Sequence, residues 1–468
     1  MLEKIHNHEA EKDIDCSHVN HSPKKLLRYP PKIYLWLFAF QLFNTWCDRL
    51  YEFGSYLFIM HVFKDTLLPS SVYGFALTGV GIVLSSWVGK WVDYVSRRTA
   101  VAIAIPTKRM SIGLMCLGFW FLSRYDFSVG SERSTIYGVF GAIVFFACVL
   151  KVATISLSIA VDRDWIVILT KSDSSALTTV NTNMRRIDLI SKIVTPLFFG
   201  FLSSSQGNVF CVVFVGFWSL ASAVPELLII KQVYTLVPEL AYSKVSQEHN
   251  AEKEETVATI PVLSRFYQGW LSYINHPVFA SSLSYAMIYM SVLSIAGTMV
   301  SYLSWKGYPE SLISVMRSLM AVLALIGTFV MPIMKHFLGV YRTAKASIWI
   351  EVITLIPVII SFFLPQNLLS AILLFGGISL SRLGVWVFDL SQTQIMQERV
   401  DNAQAGLING WQYSLTNVFD LGQFLLTMIW SDPNQFHIPA IISFAMVVLA
   451  AITFTFRYHR IAKGTTVV

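Results

Sequence analysis

Asp48 and Glu52 stand four residues apart in the run Trp46-Cys47-Asp48-Arg49-Leu50-Tyr51-Glu52, inside an otherwise apolar stretch. At helical spacing the two carboxylates share one face. Two carboxylates on one face make a hard, oxygen-rich site suited to a divalent cation. Arg49 projects about 100° away from Asp48 on an ideal helix, which leaves pairing with another helix open to it. Each charge in the middle of a bilayer costs roughly 2.5–3.5 kcal/mol on insertion scales. The three must therefore face a water-filled cavity or be paired, and a purely structural ion pair through Arg49 is the alternative use.

Four further constellations carry charge where apolar sequence surrounds it. Gly89-Lys90-Trp91-Val92-Asp93-Tyr94-Val95-Ser96-Arg97-Arg98 resembles the cytoplasmic-loop signature of the major facilitator superfamily, with Asp93 and Arg97 one turn apart if the helix continues. Asp162-Arg163-Asp164-Trp165 and Asn181-Thr182-Asn183-Met184-Arg185-Arg186-Ile187-Asp188 read as a gate network beside a span. Arg382 and Asp389 lie seven residues apart, two turns along one helix face, which suits an intramembrane pair or gate. Asp420 stands alone in an apolar run.

The elements that must position these residues are membrane spans. Hydrophobic residues make up 54% of the 468, aromatics 14% and charged residues only 13%, about half the charge of a soluble domain. Spans need about 20 mostly apolar residues. Twelve such runs are read at 33–62, 72–92, 99–122, 135–160, 174–203, 208–232, 277–304, 309–334, 345–364, 366–394, 404–430 and 436–458. With the N-terminus in the cytosol, the cytoplasmic segments collect roughly 22 Lys and Arg and the opposite loops about four: Lys64, Arg124, Arg133 and Lys306. That bias places both termini in the cytosol. The stretch 1–32 is a polar tail without a signal peptide's apolar core. The stretch 233–276, carrying Glu248, Glu252, Glu254 and Glu255, divides a half at 33–232 from a half at 277–458, and 459–468 is a short tail. The expected fold class is therefore an all-α membrane protein of two six-helix lobes, with a site near the midplane.

Other classes are excluded. The net charge of +7 is spread between apolar runs rather than gathered on a polar domain, which is topogenic charge and not a nucleic-acid footprint. The cysteines at 16, 47, 116, 148 and 211 form no C-x-x-C pair. No nucleotide loop, metal-hydrolase motif or nucleophile elbow is present, so no enzyme is expected.

Several runs together resemble ferroportin, the eukaryotic iron-exporter family. They are Thr45-Trp46-Cys47-Asp48-Arg49, Arg163-Asp164-Trp165-Ile166-Val167, Arg185-Arg186-Ile187-Asp188, Gly269-Trp270 with Pro277-Val278-Phe279, Arg382-Leu383-Gly384-Val385-Trp386 with Phe388-Asp389-Leu390, and Gly406-Leu407-Ile408-Asn409-Gly410. The resemblance implies a major-facilitator fold, alternating access and export of ferrous iron, with cobalt, nickel, zinc or manganese as side substrates. It implies no cofactor besides the transported ion. Plasma membrane is the expected location and a monomer the expected state. The rival reading is a transporter of the same fold for another divalent metal or an organic solute.

The resemblance also assigns residues. Asp48 matches the family's N-lobe metal-binding Asp, and Glu52 stands where vertebrate members have a His. In the C-lobe, Gly297 stands at the family's Cys and Gln423 at its His, leaving Asp420 as the carboxylate nearby. Loss of that Cys argues against regulation by hepcidin. Lys108 and Ser219 replace amide residues implicated in calcium binding, whereas Glu226 is kept. Asp93, Arg97, Asp164, Asn181 and Arg185 match the gate, and Ala405 replaces a gate arginine. Lys108 is expected to balance Asp48 and Glu52 when no metal is bound. Without histidine ligands, pH dependence near neutrality is expected to be shallow.

Overall fold

The computed structural model describes residues 30–124, 133–170, 174–241, 262–400 and 405–464. The tail 1–29, the acidic stretch 248–255, and the side chains of Asp93, Asp164 and Asn181 lie outside the described residues.

Helices account for nearly all of the described chain. The first half contains α1 (Pro31–Val62), α2 (Leu68–Tyr94), α3 (Arg97–Leu122), α4 (Arg133–Ser158), α5 (Ile166–Thr170), α6 (Ser174–Gln206) and α7 (Asn208–Leu236). A π-helical turn, Ile159–Trp165, joins α4 to α5. The second contains α8 (Val262–Asn275), α9 (Phe279–Tyr289), α10 (Thr298–Trp305), α11 (Glu310–Leu338), α12 (Val340–Phe363), α13 (Leu368–Arg399), α14 (Ala405–Ile429) and α15 (His437–Gly464). Three of these starts have a local cause. Pro31 opens α1 at a position that needs no N–H donor. Ser96 caps α3 by accepting from the Thr99 amide at 3.2 Å, and Asn367 caps α13 through the Ser370 amide at 2.9 Å.

Among the described residues, nine helices are long and apolar enough to cross a membrane by length and composition. The chain is a multi-pass α-helical membrane protein. Two runs read from hydropathy differ in detail. The run 277–304 is broken, as the family resemblance implies for the seventh helix at Gly297: α9 stops at Tyr289 and α10 starts at Thr298. Gly297 joins them at φ +52°, ψ −132°, backbone that a side chain would strain. The stretch before Pro277 is not all loop, because α8 forms there. Leu263, Phe266, Trp270 and Tyr273 recur at helical spacing, and Tyr273 is buried with Val278, Met396 and Ile408 while Trp270 packs against them.

Helices up to α7 pack with one another, as do those from α9 onward, and the two groups meet along α6–α11, α2–α14 and α1–α10. The lobes are sewn together at the end carrying the α1–α2 and α14–α15 turns. There Leu67 N donates to Ser431 O at 2.8 Å. The Ser70 and Ser301 hydroxyls meet at 2.7 Å, and Ser71 donates to Thr427 Oγ1 at 2.7 Å. Glu310 of α11 accepts from Asn208 Nδ2 at 2.7 Å and from Ser203. A Cβ placed on Gly74 would lie 2.1 Å from Phe424, so the α2–α14 crossing needs glycine. Along α2 and α14, the last hydrogen bond between lobes among the described residues is Thr78 to Asp420. Beyond it a cavity separates the lobes. We call the sewn end the closed end.

Candidate functional site

The cavity between the lobes has a volume of about 810 Å³. Its walls carry Asp48 and Glu52 from α1, and Asp389 and Asp420 from α13 and α14. Arg49, Lys151, Arg185 and Arg382 line it too. Four carboxylates and four basic side chains therefore face one space. A second pocket of about 400 Å³ lies in the first lobe and shares Asp48 and Arg49 with the cavity.

Asp48 faces a pair of buried cations on α3. Lys108 Nζ donates to Asp48 Oδ2 at 2.6 Å and to Asn44 Oδ1 at 2.7 Å. Arg109 Nη1 stands 3.5 Å from Asp48 Oδ1. Arg109 also donates to Glu226 through Nη2 at 2.6 Å and Nε at 3.1 Å. Lys108 and Arg109 are 1% exposed and Glu226 is 0% exposed. Such groups persist in a membrane interior only when paired. Lys108 thus lies beside Asp48, but it does not reach Glu52 as expected; Arg49 and Arg317 engage that carboxylate instead. Arg109 was not singled out from the sequence, although an Arg inside an apolar run was a signal available there. Ser219 on α7 is buried nearby, with no hydrogen-bond partner for its hydroxyl among the described residues.

Glu52 shares α1's inward face with Asp48 but has different partners. Arg49 Nη1 donates to Glu52 Oε2 at 2.5 Å. Arg49 also reaches α6, donating to Asp188 Oδ1 through Nη2 at 2.7 Å and Nε at 3.0 Å. Lys192 and Arg185 approach Asp188 at 3.1 Å and 3.6 Å. Arg49 therefore pairs both within α1, with Glu52, and across to α6, with Asp188. From the opposite lobe, Arg317 Nη2 of α11 donates to Glu52 Oε1 at 2.8 Å. Arg317 was also missed in the sequence, where it stands alone in an apolar run.

The C-lobe wall is held by neutral donors. Asp420 accepts from Gln423 Nε2 at 2.5 Å and from Thr78 Oγ1 at 3.0 Å. Asp389 accepts from the Tyr285 hydroxyl at 2.6 Å. Arg382 does not pair with Asp389 along α13; its guanidinium donates to Leu293 O at 3.2 Å, in the break between α9 and α10. Gly297 sits beside Tyr56 and Phe424 at the cavity's closed end. Arg185 joins the lobes on the wall, its guanidinium 5.9 Å from the Trp386 ring centre. Arg97 opens α3, and Ala405 opens α14.

Among the described residues no three or more His, Cys, Asp or Glu side chains gather as a metal-binding cluster. A cation in this cavity would draw on one or two carboxylates plus amide, hydroxyl and water oxygens. That donor set suits a hard or borderline divalent ion.

The family model described as Ferroportin1 (FPN1) matches residues 31–447. Human ferroportin is 24% identical over 516 residues, covering 90% of this chain and 90% of that protein. Solute carrier family 40 member 1 of Arabidopsis thaliana is 26% identical over 463 residues, covering 91% of this chain and 88% of that protein. Among solved structures, a bacterial homologue of the iron transporter ferroportin in an inward-facing state superposes with a TM-score of 0.78 at 22% identity, covering 91% of this chain and 98% of the other. The fold is accordingly the major-facilitator fold of that group.

Proposed function

The chain belongs to the ferroportin family, and from that premise we propose that it exports divalent metal ions, ferrous iron foremost, by alternating access between its lobes. It is a transporter and not an enzyme. One observation supports the reading: carboxylates from both lobes line a single cavity that is sewn shut at one end. Asp48 and Glu52 supply the N-lobe contact for the ion, and Asp420 with Gln423 supplies a weaker one opposite. With two carboxylates where a softer imidazole would discriminate, the preference for iron over manganese is weakened, and cobalt, nickel, zinc and manganese are side substrates. The closed end faces the outside, both termini face the cytosol, and the plasma membrane is the site of export. The protein works as a monomer. With glycine at position 297, no thiol is available there for hepcidin.

Binding favours the state in which the ion has more ligands, and the lobes rock to reach it. No chemical bond is made. Five tyrosines on the wall, Tyr51, Tyr56, Tyr73, Tyr285 and Tyr289, would suit an organic solute. The four carboxylates on facing walls favour a cation. Efflux of ferrous iron, cobalt and manganese from proteoliposomes, wild type against Asp48→Ala with Glu52→Ala, tests the proposal. Loss of efflux in the double variant at normal membrane level is the expected result. Unchanged efflux would move the site to Asp420, and no metal efflux by the wild type would return the organic-solute reading.

A further inference from the structure

Arg317 belongs to α11, yet its guanidinium serves the other lobe. Nη2 donates to Glu52 Oε1 at 2.8 Å, and the guanidinium carbon lies 5.2 Å from the Phe53 ring centre on the same helix. Among the ion pairs of the described residues, this is the one that joins the lobes. Its neighbours in the closed end are mostly neutral: serine and threonine hydroxyls, a backbone contact from Ser318 to Ile193 O at 2.7 Å, and the Gly74–Phe424 crossing. Hydroxyl contacts respond little to a cation arriving in the cavity. A carboxylate shared across the seam responds directly, because an ion on Glu52 and the guanidinium of Arg317 compete for the same oxygens.

We propose that Arg317 is a positioning residue for transport: it latches the closed end through Glu52 and is released when the cargo ion takes that carboxylate. The release half rests on the proposed function; the latch half does not. The pairing has the sign that coupling requires. With the latch made, an ion meets a Glu52 already engaged by Arg49 and Arg317. With the latch broken, the ion meets Arg49 alone. The ion therefore binds the unlatched state more tightly, and by linkage its binding opens the closed end. Arg49 remains held by Asp188 throughout, so the N-lobe contact survives the exchange.

The test uses the full-length protein in nanodiscs, carrying Ser70→Cys as reporter, with labelling read at residue 70 by peptide mass spectrometry so that the five native cysteines do not contribute. Ser70 is 0% exposed and sits in the seam against Ser301, so a hydrophilic maleimide reaches it only when the closed end opens. Without metal, Arg317→Ala should raise the labelling rate by roughly 5–150-fold, the usual span of one coupling interaction. Arg317→Lys, which keeps the charge, should restore slow labelling in part. Glu52→Gln reaches the same contact from the other lobe and should also label fast, so a folding failure of one variant does not decide the matter. Wild-type labelling rates in both Arg317→Ala and Glu52→Gln, with both proteins monodisperse, would overturn the latch. In the second arm, cobalt should speed labelling of the wild type and leave Glu52→Gln unchanged. A latch that opens in Arg317→Ala but ignores cobalt in the wild type would overturn the release half and place the failure in the cargo reading.

Discussion

The two lobes hold their site carboxylates in opposite ways. On the N-lobe side each has a cation as partner: Lys108 and Arg109 at Asp48, Arg109 at Glu226, Arg49 and Arg317 at Glu52. On the C-lobe side Asp420 meets an amide and a hydroxyl, and Asp389 a phenol. A carboxylate engaged by a tethered cation is a cation site already filled, so an incoming ion must displace something to bind. Displacement makes binding and rearrangement one event, which is how a ligand shifts a conformational equilibrium. A carboxylate held by neutral donors takes an ion with little rearrangement and passes little on. On the proposed reading, binding at the N-lobe drives the cycle and the C-lobe assists.

The largest expected break in this comparison is Arg109→Ala. Glu226 is 0% exposed and takes two hydrogen bonds from Arg109. Removing the guanidinium leaves a buried, uncompensated charge, at about 3–5 kcal/mol. Tyr285→Phe in the C-lobe removes one neutral donor from the partly exposed Asp389 and should cost about 0.5–1.5 kcal/mol. Thermal unfolding of the two variants in detergent should separate them widely. Equal losses would mean that the N-lobe charges are not mutually dependent.

How much of this was legible in the sequence follows the same division. Asp48 and Glu52 on one face came from spacing alone, because four residues is one helical turn wherever the helix goes. The spans came from hydropathy, and the gap between α12 and α13 from Pro365 to Asn367. Partners were another matter. Arg109 and Arg317 are each a charge inside an apolar run, a signal that marks function or pairing, yet spacing cannot say which helix answers. Arg317 reaches Glu52 across 265 residues of chain, and that register exists only after two lobes dock. The break between α9 and α10 was weakly marked, since Gly297 is its one obvious punctuation and Met290 to Ala296 contains no proline. The helix α8 was legible in principle, but its apolar stripe is short and follows an acidic stretch.

A second, smaller contrast is expected in transport itself. Asp48→Asn removes the N-lobe charge and leaves Lys108 and Arg109 facing a neutral amide. Metal efflux should fall about 100-fold or more, at tenfold per 1.4 kcal/mol. Asp420→Asn keeps a group that can accept from Thr78 and should reduce efflux by less than about tenfold on the same scale. Initial rates at matched membrane levels give the comparison. A greater loss at Asp420 would reverse the roles assigned to the lobes.

The smallest effect is the sharpest. Lys108 Nζ is 2.6 Å from Asp48 and 2.7 Å from Asn44, and its side chain is 1% exposed. If that ammonium is a competitor, removing it should tighten metal binding. Lys108→Met keeps an apolar stem of similar length and deletes the charge, while Asn44 Oδ1 retains Arg109 Nη2 at 3.3 Å. Cobalt should then bind about tenfold more tightly, because the site no longer waits on a displaced cation. Turnover should not rise with affinity, since an ion held more tightly leaves more slowly. No matching gain exists in the C-lobe: Gln423→Met removes a neutral donor, and Asp420 keeps Thr78. Cobalt titration of both purified variants reads the difference. Weaker binding in Lys108→Met would mean that the ammonium positions Asp48 for the ion instead of standing in its place, and the N-lobe would then be preorganised for metal in the same sense as the C-lobe.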